Sequence, residues 1–246
     1  MLVIALCKGR FLEPSLATLA RADIRFTEDV ASSRKLIFDS EDKRFRAVLV
    51  KPADVPTYVE YGAADVGIAG RDVIMESSAD LLQPLDLNFG HCKIAVAAPA
   101  GKFGRGDDIG SGITADDTDV ADGADQQPSI RAIGDIRVIR GNSTVRVATK
   151  YPRITMDFYN ARGIPVEIIP LSGSIELAPL IGLADRIVDL VETGRTLKEN
   201  GLEIIEIIAN SSARLLINRA GYQTKRKEVL ALISALEKVV QCESSI

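Results

Sequence analysis

Short hydrophobic runs alternate along most of this chain with segments whose apolar positions repeat at helical spacing. The runs at 2–6, 47–50, 65–69, 94–98, 145–148, 166–169, 187–191, 204–208 and 215–217 read as strands. Residues 14–21 read as a helix with proline in its first turn, and 55–61 as a helix closed by Gly62. A further helix opens over 72–76, and another spans 154–162 with Gly163 as its cap. The last, 225–240, sets Val229, Leu232, Ile233, Leu236 and Val240 on one face. Such alternation predicts α/β layers with largely parallel sheets.

One region breaks the pattern. Between Gly104 and Gln127 there are seven Asp and, apart from Arg105, no basic residue. It reads as an acidic surface loop or insert. The spacing of Asp116, Asp117 and Asp119 lacks the closing Glu of a calcium hand.

Composition narrows the function classes. At 246 residues, 46% of them hydrophobic, the chain has material for one large or two small cores. A net charge of −4, few aromatics and no Trp argue against a nucleic-acid binder. Cys7, Cys92 and Cys242 are far apart and form neither a zinc pattern nor a disulfide framework, so they read as reduced thiols. The amino terminus carries no signal-peptide pattern and no run reaches membrane-spanning length, so the expectation is a cytoplasmic chain with no membrane partner. His91 is the single histidine, which leaves Ser-His-Asp and Cys-His mechanisms poorly supported. The chemistry expected is substrate binding and charge stabilisation without a protein nucleophile.

Four stretches carry the candidate chemistry. After the strand at 187–191 comes Glu192, then the turn Thr193-Gly194-Arg195-Thr196, where N–H groups at a helix start, two hydroxyls and a guanidinium suit a phosphate. Thr196 with Glu199 reads as a capping box and Gly201 as the closing cap, so an ordinary strand-to-helix loop stays open as the plainer reading. Lys8-Gly9-Arg10 ends the first strand, and Arg34 and Lys51 lie at other element ends; solvated surface cations are the alternative to an anion cradle. Gly70 permits close backbone approach, while Asp72 reads equally as ligand contact or N-cap. Ser174 reads as the cap of a helix carrying Glu176 in its first turn. Asp189, inside an apolar strand, needs a partner or a cleft.

Taken in order, these pieces resemble the ATP phosphoribosyltransferases of histidine biosynthesis. The matching motifs are Lys8-Gly-Arg10, Ser33-Arg-Lys-Leu36, Asp54-Val-Pro-Thr-Tyr-Val59, Gly62-Ala-Ala-Asp-Val-Gly-Ile-Ala-Gly70, Ala148-Thr-Lys-Tyr-Pro152 and Gly173-Ser-Ile-Glu-Leu-Ala-Pro179. The run from Gly182 to Leu202 is the most specific, and the likeness covers nearly everything except about 103–135. It implies a two-lobe, periplasmic-binding-protein-like α/β fold with a cleft between lobes. The first lobe would be 1–91 plus 204–246, and the second 92–203 with the acidic insert near 104–135.

The implied reaction joins N1 of ATP to C1 of phosphoribosyl pyrophosphate and releases pyrophosphate, with Mg²⁺ on the substrate phosphates. By this likeness Thr193, Gly194, Arg195 and Thr196, preceded by Glu192, hold the 5-phosphate, and Glu176 and Asp189 face the ribose. Lys8, Arg34 and Lys51 face the departing polyanion, with Arg10, Gly70 and Asp72 also in the site; no protein metal site is implied. Lys51 departs from the Arg expected there, and the acidic stretch is longer than the pattern. Short length implies the form that works as a homodimer with a histidyl-tRNA-synthetase-like regulatory subunit. A two-lobe solute binder and a small-molecule sensor remain the competing readings.

Overall fold

The computed structural model describes residues 1–101 and 144–243, and the acidic stretch near 104–135 lies outside the described residues. Up to residue 101 the chain runs through β1 (Leu2–Cys7), α1 (Leu12–Arg21), β2 (Ile37–Asp39), β3 (Phe45–Val50), a 3₁₀ turn (Pro52–Asp54), α2 (Val55–Glu60), β4 (Val66–Gly70), α3 (Arg71–Ser77), β5 (Leu82–Asp86) and β6 (Cys92–Pro99). From residue 144 it continues through β7 (Val145–Thr149), α4 (Pro152–Asn160), β8 (Val166–Pro170), α5 (Leu177–Leu180), β9 (Arg186–Val191), α6 (Arg195–Glu199), β10 (Leu202–Ser211), β11 (Ala213–Ile217), α7 (Arg219–Thr224) and α8 (Arg226–Glu243). The described residues fall into two compact units. One takes Met1–Ile94, Leu190–Glu192 and the chain from Ala209; the other takes the described part of Ala95–Asp189 and Thr193–Ile208.

The first unit holds a six-stranded sheet in the order β2-β3-β1-β4-β11-β5. β1 runs parallel to β3 and to β4, but β2 is antiparallel to β3, and β11 is antiparallel to both β4 and β5. The sheet is therefore mixed, where the alternation had predicted largely parallel pairing. A tight turn causes the β2–β3 reversal, since a short connection joins only antiparallel strands; Ser40 Oγ accepts the Phe45 N–H at 3.0 Å across it. β2 and β5 are the two edges, and hydropathy gave no sign of either. β2 has three residues and β5 carries Pro84, both usual at a sheet margin.

Inner strands β1 and β4 are apolar almost throughout: Leu2, Ile4, Leu6, Val66 and Ile68 are all buried. The last helix, α8, lays Val229, Leu232 and Leu236 into the same core, with Ile233 and Val240 at its margin, as its sequence period requires. Each fully buried side chain of this kind contributes about 1.5–3 kcal/mol.

The five-stranded sheet has the order β10-β6-β9-β7-β8, with β7 parallel to both β8 and β9. Its core path repeats that of the first sheet. From β1 the chain goes to β3 on one side and then to β4 on the other; from β7 it goes to β8 and then to β9. Where a parallel sheet reverses order in this way, the loops leaving the carboxyl ends diverge and open a crevice. Those loops follow β1 and β4 in one unit, and β7 and β9 in the other. The α/β class expected from the sequence holds.

Candidate functional site

At the carboxyl end of β1 the chain turns through Lys8, Gly9 and Arg10. The Lys8 N–H donates to Val50 O at 2.9 Å, so β1 and β3 stay paired to their ends. Lys8 and Lys51 consequently leave neighbouring strand ends, both exposed. Arg10 Nη1 donates to Glu192 Oε2 at 3.2 Å, its guanidinium carbon lies 5.2 Å from the Phe11 ring centre, and Nη2 is 3.8 Å from Cys92 Sγ. Both partners of the Arg10–Glu192 pair are more than half exposed, so it adds little stability. Arg34 is exposed in the segment before β2, beside Lys35, whose Nζ is 2.6 Å from Glu28.

β4 passes into α3 with Gly70 as the N-cap residue. A Cβ there would come within 2.3 Å of Asp72 Oδ1 and 3.2 Å of the Phe11 ring, so the position excludes any side chain. Asp72 does not cap the helix, which removes one of the two roles the sequence left open for it. Its carboxylate turns inward, 4% exposed, and accepts from the Ser211 hydroxyl at 2.8 Å, while Ser211 Oγ accepts the Asp72 N–H at 3.0 Å. The hydroxyl has taken over the N–H that a capping carboxylate would have satisfied. The Arg71 N–H donates to Ser212 O at 3.0 Å, fixing the same turn from its other side. Burial, with the Asp72 charge added, pushes the Cys7 thiol up to about 12. Burial first and Asp72 second also raise Cys92, partly offset by Arg10.

In the other unit, Asp189 on β9 meets Lys150, the residue that follows β7. Lys150 Nζ is 2.9 Å from Asp189 Oδ1, with the carboxylate side chain 15% and the lysine side chain 40% exposed. The turn behind Lys150 is locked: Thr149 Oγ1 donates to Val188 O at 2.7 Å and accepts the Tyr151 N–H at 2.9 Å. Thr155 Oγ1 donates to Tyr151 O at 2.7 Å one helical turn later.

After β9, Gly194 is the N-cap residue of α6, at φ +76°, a left-handed conformation that glycine adopts without strain. The expected capping box is not formed. Thr196 lies inside the helix, and Glu199 pairs with Arg195 Nε at 2.7 Å. Thr193 Oγ1 instead lies 3.4 Å from the Arg195 N–H. The helix has slid toward its amino end because Gly194 can make the turn that Thr196 was expected to make. Gly201, at φ +66°, follows the helix end as expected. Glu176 is half-buried and is itself the N-cap residue of α5; Ser174, expected as the cap, sits at φ +49° and accepts the Leu177 N–H on its carbonyl at 3.2 Å.

The residues named from the sequence thus form two groups. Lys8, Arg10, Arg34, Lys51, Gly70, Asp72 and Glu192 belong to the first unit; Glu176, Asp189 and Thr193 to Thr196 belong to the second. Sequence reasoning quoted Lys150 within a matching motif but gave it no role in the site. A signal was present: Lys8, Lys51 and Lys150 each stand one residue past a parallel strand. Among the described residues no group of three or more His, Cys, Asp or Glu side chains could hold a metal ion, and no helix is long and apolar enough to cross a membrane.

Fold and turns together define the class: an α/β protein of two units, with polar glycine turns and lysines at the carboxyl ends of its parallel strands. Known proteins carry this further. Residues 51–238 match the family model described as HisG: ATP phosphoribosyltransferase. The chain is 45% identical over 239 residues to an ATP phosphoribosyltransferase of Geobacter metallireducens, covering 97% of this chain and 98% of that one. It is 46% identical over 240 residues to one from Acidithiobacillus ferrooxidans, covering 97% of each. Among solved structures it superposes on a chain of the ATP phosphoribosyl transferase (HisG:HisZ) complex from Thermotoga maritima. There the TM-score is 0.74 at 32% identity, covering 98% of this chain and 99% of that chain. The chain belongs to the ATP phosphoribosyltransferase family.

Proposed function

We propose that the chain transfers the phosphoribosyl group of phosphoribosyl pyrophosphate to N1 of ATP, releasing pyrophosphate, as the first step of histidine biosynthesis. The observation that carries this reading is the family match, which covers residues 51–238 and with them the turns at Lys51, Gly70, Lys150 and Thr193 to Thr196. In the transition state C1 of the sugar gains positive charge while pyrophosphate departs as a polyanion. Lys8 and Lys51, on neighbouring strand ends, supply cations to that polyanion, with Arg34 as a third. The N–H groups and hydroxyls of Thr193 to Thr196 receive the 5-phosphate, and Asp189 and Glu176 accept hydrogen bonds from ribose hydroxyls. Gly70 lets Asp72 and Phe11 pack against the backbone at the start of α3. Arg10, Glu192 and Asp72 hold this frame through their own pairings. No general base on the protein is required, which suits a chain with a single histidine.

Mg²⁺ fits as part of the substrates. In this reading the ion is held on diphosphate oxygens and water. When bound, it neutralises charge on the leaving group. The protein would work in the cytoplasm, as a homodimer with a regulatory subunit resembling histidyl-tRNA synthetase. The HisG:HisZ composition of the Thermotoga complex supports that pairing. Histidine inhibition would then reside in the partner.

Pyrophosphate release from ATP, phosphoribosyl pyrophosphate and Mg²⁺, measured with and without histidine, tests the whole reading. Release coupled to phosphoribosyl-ATP and indifferent to histidine is expected. Absence of release, even after a HisZ-type partner is added, would overturn it. At single residues, Asp189→Asn and Thr193→Ala should each raise the Kd for phosphoribosyl pyrophosphate about tenfold or more while the melting temperature moves little. Unchanged affinity in both variants would remove those residues from the site.

A further inference from the structure

Asp189 is an awkward neighbour for a phosphate. It is a carboxylate in a strand that is apolar after its first residue, Arg186; its side chain is 15% exposed, and the turn read as the 5-phosphate site begins four residues later. Four residues of extended chain span at most about 13 Å. Over that distance, in a partly buried setting, an unbalanced carboxylate repels a phosphate dianion.

The pairing with Lys150 removes the difficulty. Parallel register sets Thr149 opposite Val188, which brings Lys150 beside Asp189 one step further on. Thr149 locks the lysine's backbone from beneath through its bonds to Val188 and Tyr151, and the ammonium lies 5.5 Å from the Tyr151 ring centre. Lysine here is held at the reversal of the sheet, between the strand that carries the carboxylate and the strand it follows.

We propose that Lys150 balances the charge of Asp189, so that a carboxylate suited to ribose hydroxyls stands near a phosphate turn without driving the phosphate away. The inference rests on the ribose-phosphate reading of Asp189 and the turn at Thr193 to Thr196. Lys150 is a positioning residue. It acts on the ligand through Asp189, fixing the carboxylate against the β7–β9 seam and cancelling its field at the turn. The effect of its removal on a phosphate should therefore be offset when the carboxylate is removed as well, a rescue that a merely structural lysine would not produce.

Calorimetric titration of the full chain with ribose 5-phosphate distinguishes these cases. Lys150→Met should weaken binding about tenfold or more, whereas Lys150→Arg, which keeps the charge, should stay within about threefold. With inorganic phosphate, which offers no ribose hydroxyls to Asp189, the double variant Lys150→Met/Asp189→Asn should return to within about threefold of the wild type, because both charges are gone. Wild-type affinity in Lys150→Met overturns the proposal. So does a double variant that binds inorganic phosphate as weakly as Lys150→Met, which would put the ammonium directly on the phosphate. If Lys150→Met does not fold, the comparison of the double variant with the wild type on inorganic phosphate still decides, since the Lys150–Asp189 pair carries no net charge in either. A wild-type chain that fails to bind ribose 5-phosphate, or an Asp189→Asn variant that binds it unchanged, overturns the underlying site reading instead.

Discussion

Two carboxylates occupy positions in this chain where apolar side chains are the rule, and they are satisfied differently. Lys150 meets Asp189 with an opposite charge, whereas Ser211 meets Asp72 with a hydroxyl, which bonds but does not neutralise. The charge on Asp72 therefore still acts on Cys7, adding to the larger effect of burial. That thiol keeps its proton to about 12 in the folded state, against an ordinary value of 9.0. Between those values the folded state binds the extra proton, so this contribution is complete below pH 9 and is lost as pH rises through 9 toward 12. Between pH 8 and pH 10 the wild type should lose about 1 kcal/mol more in urea unfolding than Cys7→Ala. Equal losses would remove Cys7 as the titrating group. At neutral pH a disulfide reagent should modify exposed Cys242 quickly and leave buried Cys7 and Cys92 untouched until the chain unfolds.

Helix ends show where reading a sequence reaches its limit. Period and composition located α1, α2, α4 and α8 to within a few residues, because burial of one face dictates their course. Caps were another matter. Thr196, Ser174 and Asp72 each had the right side chain, but Gly194, Glu176 and Gly70 hold the N-cap positions. Local chemistry names the residues able to cap; backbone path and distant partners such as Ser211 choose among them. Asn218 gives the opposite lesson, since nothing in its sequence setting announces what it does. Its Oδ1 accepts the Gly221 N–H at 2.6 Å to start α7, while Nδ2 donates to Val59 O at 2.7 Å and Glu60 O at 2.9 Å at the end of α2. One amide thus closes two helices. Asn218→Ala should lower the unfolding free energy by about 3 kcal/mol, and Asn218→Asp, which keeps the cap but loses the donor, by about 2 kcal/mol. Urea denaturation of the two variants checks the order, and a loss below about 0.5 kcal/mol in Asn218→Ala would show the amide to be dispensable.

For the molecule as a whole, alternation of strand and helix made the α/β class legible, and the ordered motifs made the family legible. The pairing of Lys150 with Asp189 stayed hidden because it comes from β7 lying beside β9, a neighbourhood that chain order alone does not reveal. The same holds for β11, which sits between β4 and β5 although it is made long after both. A chain ending at residue 212 should therefore leave β4 and β5 without their shared neighbour and partition into the pellet on expression, as gel analysis of both fractions would record; full solubility would show that β11 is not needed to close the sheet. Time enters as well. β5 ends at Asp86 and β11 begins at Ala213, 127 positions later (213 − 86). At about 5–20 residues per second, a ribosome needs roughly 6–25 s to supply the missing strand. Throughout that interval the nascent protein presents two unpaired strand edges, so its yield in a cell is governed by the pace of synthesis and by whatever chaperone reaches those edges first.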